Sequence, residues 1–191
     1  MTETNRSFIA TADRMLTRVE RVASVAAALI LFAIMAIVAS DVFMRYALNR
    51  PFAWSYDLVS LYLEIALFYF MLSRNFATHA HIGVDILHYY VSPRTRRIFE
   101  LLGCAVSLPL FAFITYAGGM RALSALAGGD VYAGGIAWPS GLSIMLVPLG
   151  AALLTLRLAV NLAAHLMALR GGREIIALPP LARTAAERMP E

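Results

Sequence analysis

The residue best placed to do chemistry is Glu64, which lies near the middle of an apolar stretch. If this stretch crosses a membrane as a helix, a central carboxylate raises the free energy of insertion by about 2.5–3.5 kcal/mol, provided that it behaves like Asp. The Leu, Ile, Val and Phe residues between Leu58 and Leu72 lower it by roughly 3–5 kcal/mol. Glu64 is therefore expected to face protein rather than lipid, on one stripe with Asp57 and Met71. It would act there as a proton or ion site, or as a protonated or Arg-paired packing residue.

A second candidate is the pair Asp41 and Arg45, which are four residues apart. This spacing places both side chains on one face of a helix, where they can form an ion pair. Such a pair at the end of an apolar segment serves as an anchor in the membrane interface. Alternatively, it clamps a neighbouring helix or subunit.

The histidines raise two cofactor hypotheses. Haem in a helical bundle needs axial histidines that face each other inside the spans, but His79, His81 and His88 fall in a connection and His165 near the end of the last span. A zinc site could use the first three with Asp85, although their spacing matches no strong signature. We expect no cofactor on this chain.

The composition limits the class of protein. Hydrophobic residues make up 60% of the 191 residues and charged residues 15%. This balance excludes a soluble enzyme, a nucleic-acid-binding module and a disordered regulator, and it indicates an integral membrane protein. The only cysteine, Cys104, lies inside an apolar run, so no disulfide framework is possible.

Four apolar segments are long enough to cross about 30 Å of hydrocarbon as helices. The predicted spans are about 22–44, 56–77, 97–122 and 136–168. The sequence therefore predicts an all-α membrane protein, with a four-helix domain over 22–170 and a cytoplasmic tail over 171–191.

The basic residues predict the orientation, since cytoplasmic segments carry an excess of Arg and Lys. All 16 are Arg. The N-terminal region, the second connection and the C-terminal tail hold twelve: Arg6, Arg14, Arg18, Arg21, Arg74, Arg94, Arg96, Arg97, Arg170, Arg173, Arg183 and Arg188. The other two connections hold only Arg45, Arg50 and Arg121, so both termini should be cytoplasmic.

Residues 1–21 form a separate predicted segment. Apolar residues recur at helical spacing between Phe8 and Val19, while Arg14, Arg18 and Arg21 share another face. This pattern favours a short amphipathic helix lying on the inner leaflet, with its Arg side chains near anionic lipid headgroups. The alternative is an extension of the first span.

Small residues recur every four positions along the fourth span, at Ala151, Thr155 and Ala159. Such a stripe lets helix backbones approach closely in lipid. It serves either internal packing or a partner subunit. The Gly-rich residues 128–135 predict a turn between the third and fourth spans, which could also contact an external protein.

Two short motifs resemble a known family. The first combines residues 41–46 (DVFMRY) and 49–51 (NRP) with Trp54 and Asp57; the second combines Arg74 with residues 80–85 (AHIGVD), which include His81, Gly83 and Asp85. Together they resemble the small, DctQ-like membrane subunit of TRAP (tripartite ATP-independent periplasmic) transporters. Asp57 stands where the family more often has Glu, Glu64 where an apolar or aromatic residue is expected, and Met71 where Gly is common.

The resemblance implies a non-catalytic scaffold in the bacterial inner membrane. A large membrane subunit would hold the substrate and sodium sites, and a periplasmic protein would capture an organic acid such as a dicarboxylate, a keto acid or sialic acid. The expected partners are these two proteins and membrane lipids, without nucleic acid. The expected interface or structural residues are Asp41, Arg45, Trp54, Asp57, Glu64, Arg74, His81, Gly83, Asp85, Ala151, Thr155 and Ala159.

The competing interpretation is an autonomous small transporter or channel, in oligomeric form, with Glu64 as its ion site. It predicts transport by this chain alone that is lost on Glu64→Gln. The scaffold interpretation predicts that the same substitution leaves transport by the assembled complex nearly intact.

Overall fold

The computed structural model describes residues 3–78 and 92–171. They form four long helices: α1 (Glu3–Ala47), α2 (Ser55–Ala77), α3 (Pro93–Gly128) and α4 (Ser140–Gly171). Each is long and apolar enough to cross a membrane. The described ranges contain no strand, only an isolated bridge between Val131 and Pro139. The predicted all-α fold with four candidate membrane helices is confirmed.

Local signals explain where α3 begins and ends. Ser92 caps the first turn by accepting a hydrogen bond from the Thr95 amide at 3.3 Å, and Pro93 follows at the first helical position. At the other end Gly129 adopts a left-handed conformation with φ of 65°, which is the usual way for a helix to stop. The helix therefore extends beyond the predicted span 97–122 at both ends.

α1 is one continuous helix of 45 residues. At 1.5 Å per residue it is about 68 Å long, more than twice the hydrocarbon thickness. It contains neither Gly nor Pro, so nothing in its sequence breaks it before the first span. The N-terminal segment is the first part of this helix from Glu3 onward and runs into the span without a break. Its position on the membrane surface stays a prediction, as do the cytoplasmic termini.

α1 packs along its length through one narrow stripe. Its buried positions are Ile9, Leu16, Glu20, Ala27 and Asp41, which fit a repeat of alternating three and four residues. This is the spacing of a helix that crosses its neighbours at a small angle. The predicted interfacial segment therefore shares its inner face with the membrane span.

α4 is the centre of the bundle, because it contacts each of the other three helices; α1 packs chiefly on α2, and α3 chiefly on α4. The best-buried apolar cluster contains Cys104, Leu154 and Leu158. Side chains from α2, α3 and α4 pack around it: Leu72, Phe76, Leu108, Phe111 and Leu162. The tail predicted over 171–191 lies outside the described residues from 172 onward.

Glycine brings α2 and α4 into backbone contact. A Cβ atom on Gly150 would lie 2.5 Å from the Tyr69 carbonyl oxygen. No side chain fits at that distance, so the crossing requires glycine. Close approach of this kind replaces the hydrophobic driving force that helices lack in lipid.

α2 is not a uniform α-helix. Residues Val59–Leu63 form a π-helical turn between α-helical Ser55–Leu58 and Glu64–Ala77. A π turn leaves backbone groups short of partners, and here the Leu61 carbonyl accepts a hydrogen bond from the Ser143 hydroxyl of α4. The turn is thereby fixed against the neighbouring helix immediately before Glu64.

Candidate functional site

Polar contacts at one end of the bundle form what we call the Asp41 layer (Asp41, Arg45, Ser55, Asp57 and Trp138). Asp41 accepts a hydrogen bond from Arg45 Nη2 at 2.8 Å, so the pair expected from their spacing is present. Its other oxygen accepts the backbone N–H of Phe52 at 2.7 Å. Asp41 therefore also holds the turn that leads from α1 into α2.

The same layer joins α2 to the beginning of α4. Asp57 accepts a hydrogen bond from the Trp138 indole at 3.2 Å, and the Tyr62 hydroxyl donates to the Pro139 carbonyl at 2.6 Å. Trp54 stacks on Phe52 with the ring centroids 5.4 Å apart. Trp138 thus contacts a charged group and Trp54 an aromatic ring at the same end of the helices, an arrangement typical of tryptophans at a membrane interface.

A second cluster, the Arg157 layer, contains Asp13, Thr17, Glu20, Ser73 and Arg157. The Arg157 guanidinium binds Glu20 through two nitrogens, at 2.8 and 2.5 Å. It also donates to Asp13 at 2.5 Å and to Thr17 at 3.1 Å. The side chains of Arg157 and Glu20 are 4% and 0% exposed, whereas that of Asp13 is 36% exposed. A two-pronged contact of this kind is the strongest geometry for an ion pair.

Ser73 brings α2 into the Arg157 layer. Its hydroxyl lies 2.5 Å from a Glu20 carboxylate oxygen, to which it donates a hydrogen bond. Glu20 therefore receives three hydrogen bonds, from donors on α2 and α4. The layer ties three of the four helices together at buried positions.

The sequence analysis did not identify the Arg157 layer. Two signals were present: Glu20 occupies an inward position between Leu16 and Ala27, and Arg157 interrupts the apolar run of the fourth span. Neither signal points to the other, because Glu20 and Arg157 are 137 residues apart in the chain.

The spacing of the two layers matches a bilayer. Glu20 and Asp41 lie on α1, 21 residues apart, which corresponds to about 31 Å of helix. The hydrocarbon core is about 30 Å thick. Along α1, an apolar stretch of about this thickness therefore separates the two layers. In a membrane of matching thickness, a charge exposed between the layers would face hydrocarbon unless protein covered it.

Glu64 is such a charge. It is exposed on the surface of this chain, and among the described residues no hydrogen bond or ion pair reaches its carboxylate. It lines a groove of about 380 Å³ together with Leu67, Phe68, Met71, Leu72 and Asn75. Met71 of the predicted stripe lines the same groove, whereas Asp57 binds Trp138 in the Asp41 layer. The described bundle does not provide the protein contact predicted for Glu64.

The remaining candidate positions have mixed environments. Ala151 is fully buried and the Thr155 hydroxyl lies 3.4 Å from that of Thr115, but Ala159 is exposed. The four-residue stripe therefore drifts off the packed face, because that face follows a repeat nearer 3.5 residues. Arg74 is half-buried near the end of α2.

Of the second motif, the structure describes Arg74 alone. His81, Gly83 and Asp85 lie outside the described residues, as do His79 and His88 of the zinc hypothesis. Within residues 3–78 and 92–171, no three His, Cys, Asp or Glu side chains converge as metal ligands would.

The fold and the two polar layers define a multi-pass helical membrane protein in which charged side chains of both layers tie helices and turns together. Residues 34–167, more than half of the chain, match the family described as "Tripartite ATP-independent periplasmic transporters, DctQ component", and the chain belongs to this family. No curated protein and no solved structure matches it. Asp13, Thr17 and Glu20 lie ahead of the matched range.

Family membership settles the general role. The chain is the small permease subunit of a TRAP transporter, a multi-pass protein of the bacterial inner membrane and not an enzyme. Its family implies a complex with a large membrane subunit and a substrate-binding protein.

Proposed function

We propose that this chain is the scaffold of a sodium-coupled TRAP transporter that imports an organic acid of the dicarboxylate, keto acid or sialic acid type. The scaffold holds the large membrane subunit at a fixed depth and orientation. Sodium and substrate bind to the partner proteins, and this chain carries no cofactor.

The observation that supports the proposal is that charged side chains in the described bundle bind groups on neighbouring helices and turns. Asp13, Glu20, Asp41 and Asp57 all bind groups of neighbouring helices or turns, and Arg157 binds two of them. Such contacts make a rigid frame about as thick as the hydrocarbon core. Transport by moving a site across the membrane would instead require polar groups that change partners.

The first experiment is purification of this chain from its native membrane in mild detergent, with mass spectrometry of what accompanies it. We expect a much larger multispanning protein in stoichiometric amount. Recovery of this chain alone, from a membrane that also contains the expected large subunit, would contradict the subunit role.

The second experiment tests the division of labour. Proteoliposomes with the small and large subunits, supplied with binding protein and an inward sodium gradient, are assayed for uptake of labelled succinate, pyruvate or sialic acid. We expect uptake to need all three proteins and to persist in Glu64→Gln. Uptake by this chain alone, abolished by Glu64→Gln, would support the autonomous transporter instead.

A further inference from the structure

The groove beside Glu64 lies well inside the apolar band. On α2, Glu64 is seven residues from Asp57 in the Asp41 layer and nine from Ser73 in the Arg157 layer. These separations correspond to about 11 Å and about 14 Å of helix. The glutamate side chain is too short to carry its carboxylate over either distance, so in the isolated chain it would meet lipid.

One other exposed charge lies at the same depth. Gly150 meets Tyr69, and Gly118 meets Pro148, so these close contacts align the three helices. On α2, Glu64 is five residues from Tyr69, which places it about 7.5 Å from Tyr69 toward the Asp41 layer. In the same direction, Pro148 is two residues from Gly150 on α4 and Arg121 is three residues from Gly118 on α3. These steps also add to about 7.5 Å, so Arg121 lies at the depth of Glu64. Both are exposed, and no ion pair joins them. Arg121 has a long side chain that can reach toward the interface, whereas Glu64 cannot.

The described part of the chain offers no other cation for Glu64. The remaining described arginines lie nearer the ends of the helices, and Arg157 is already bound to Glu20 and Asp13. A carboxyl group in hydrocarbon must be covered by protein that hydrogen-bonds it. Among residues 3–78 and 92–171 no such donor reaches Glu64, which points to a donor on another polypeptide.

We propose that the Glu64 groove is a docking surface for one transmembrane helix of the large membrane subunit, and that this helix presents a hydrogen-bond donor to the Glu64 carboxyl group. The inference rests on the proposed function, since it takes the large subunit as the partner. The donor is either a cationic side chain or a neutral one.

The groove suits a helix as well as a charge. Glu64, Leu67, Phe68 and Met71 recur at the three- and four-residue spacing of a single helix face. Phe68 is 61% exposed and offers a large apolar contact, and Met71 can adapt its shape to an irregular neighbour. Leu72 continues the groove into the core beside Cys104.

The first test measures association of labelled small and large subunits in nanodiscs by energy transfer. Interhelical hydrogen bonds in membranes are worth about 0.6–1.7 kcal/mol, so Glu64→Leu should weaken association about threefold to twentyfold. Glu64→Gln should remain within about twofold of the wild type if the donor is neutral, and should match Glu64→Leu if the donor is Arg or Lys. Unchanged association in Glu64→Leu would overturn the proposal.

A matched aromatic pair provides the control. Phe68 and Phe32 are 61% and 66% exposed, and both lie between the two polar layers, but Phe32 lies on α1. Phe68→Ala should weaken association, and Phe32→Ala should leave it unchanged. The reverse order would show that the large subunit docks on α1.

A photo-crosslinker keeps the test independent of variant stability. Placed at position 68 in a chain that retains Glu64, it should form an adduct with the large subunit, with much less adduct from position 32. Adducts with lipid only, or with a second copy of this chain, would overturn the proposal. A charge swap identifies the case in which two copies of this chain pair Glu64 with Arg121. In that case Glu64→Arg weakens self-association, and the double variant Glu64→Arg/Arg121→Glu restores it.

The two proposals can fail separately. If the wild-type chain does not purify with a large subunit, the proposed function fails. If it does so but position 68 forms no adduct and Glu64→Leu associates normally, only the docking surface is wrong.

Discussion

Removal of Arg157 is the sharpest test of the way this bundle is held together. Arg157→Leu leaves Glu20 fully buried with only one of its three hydrogen bonds, the one from Ser73. Breaking a buried ion pair from one side costs about 3–5 kcal/mol. Replacing both members by apolar residues is often nearly neutral, because neither charge is then left without a partner. The double variant Glu20→Leu/Arg157→Leu should therefore be clearly more stable than Arg157→Leu.

Asp13 supplies the internal control. It binds the same guanidinium but its side chain is 36% exposed, and water screens exposed ion pairs down to about 1 kcal/mol or less. Asp13→Asn should therefore lower the free energy of unfolding far less than Arg157→Leu. The expected order of stability is wild type, then Asp13→Asn, with Arg157→Leu last.

The chain contains its own reporter for the assay. Cys104 is its only cysteine and is 1% exposed in the core cluster. A thiol-reactive dye that fluoresces on coupling will therefore report unfolding in detergent as temperature rises. The refolded fraction after titration with a denaturing detergent provides the free energies for a double-mutant cycle.

Two results would refute this account. Equal stability of Arg157→Leu and the wild type would mean that the Arg157 layer contributes nothing in the membrane protein. A double variant as unstable as the sum of both single variants would mean that Glu20 and Arg157 stabilise the bundle independently and not as a pair.

Two further predictions, each a pair of variants, use the same thermal unfolding assay. Gly150→Ala should destabilise the protein by about 1–3 kcal/mol, because the new Cβ would overlap the Tyr69 carbonyl, whereas Gly103→Ala, with nothing within 4 Å, should be neutral or slightly stabilising. Asp41→Ala should cost about 1–3 kcal/mol, since it leaves the Phe52 backbone N–H in the turn before α2 without its acceptor. Arg45→Gln should cost less than about 1 kcal/mol, because the Arg45 side chain is 58% exposed.

Each of these predictions has an outcome that contradicts it. An unchanged melting temperature in Gly150→Ala would mean that α2 and α4 do not cross as closely as described. A loss in Arg45→Gln as large as in Asp41→Ala would mean that the ion pair, and not the turn into α2, accounts for the role of Asp41.

The sequence predicted the features that depend on neighbouring residues. Four helices follow from long apolar runs, because each helix satisfies its backbone hydrogen bonds internally and needs only enough apolar length to span the bilayer. The pair of Asp41 and Arg45 follows from a four-residue spacing on one helix. The continuity of α1 was also open to prediction, since residues 3–47 contain no Gly or Pro.

The tertiary structure decided which residues meet. Glu20 and Arg157 are 137 residues apart, and nothing local distinguishes an Arg bound for a remote carboxylate from one that marks a membrane boundary. The outward face of Glu64 likewise depends on how α2 rotates against α1 and α4, which Gly150 and the π turn set through close contact. Mean hydropathy is summed along the chain and does not tell which side of a helix faces its neighbours. Only the packing of the helices could therefore show that Glu64 lies on the outer surface of the bundle, where we propose that a partner docks.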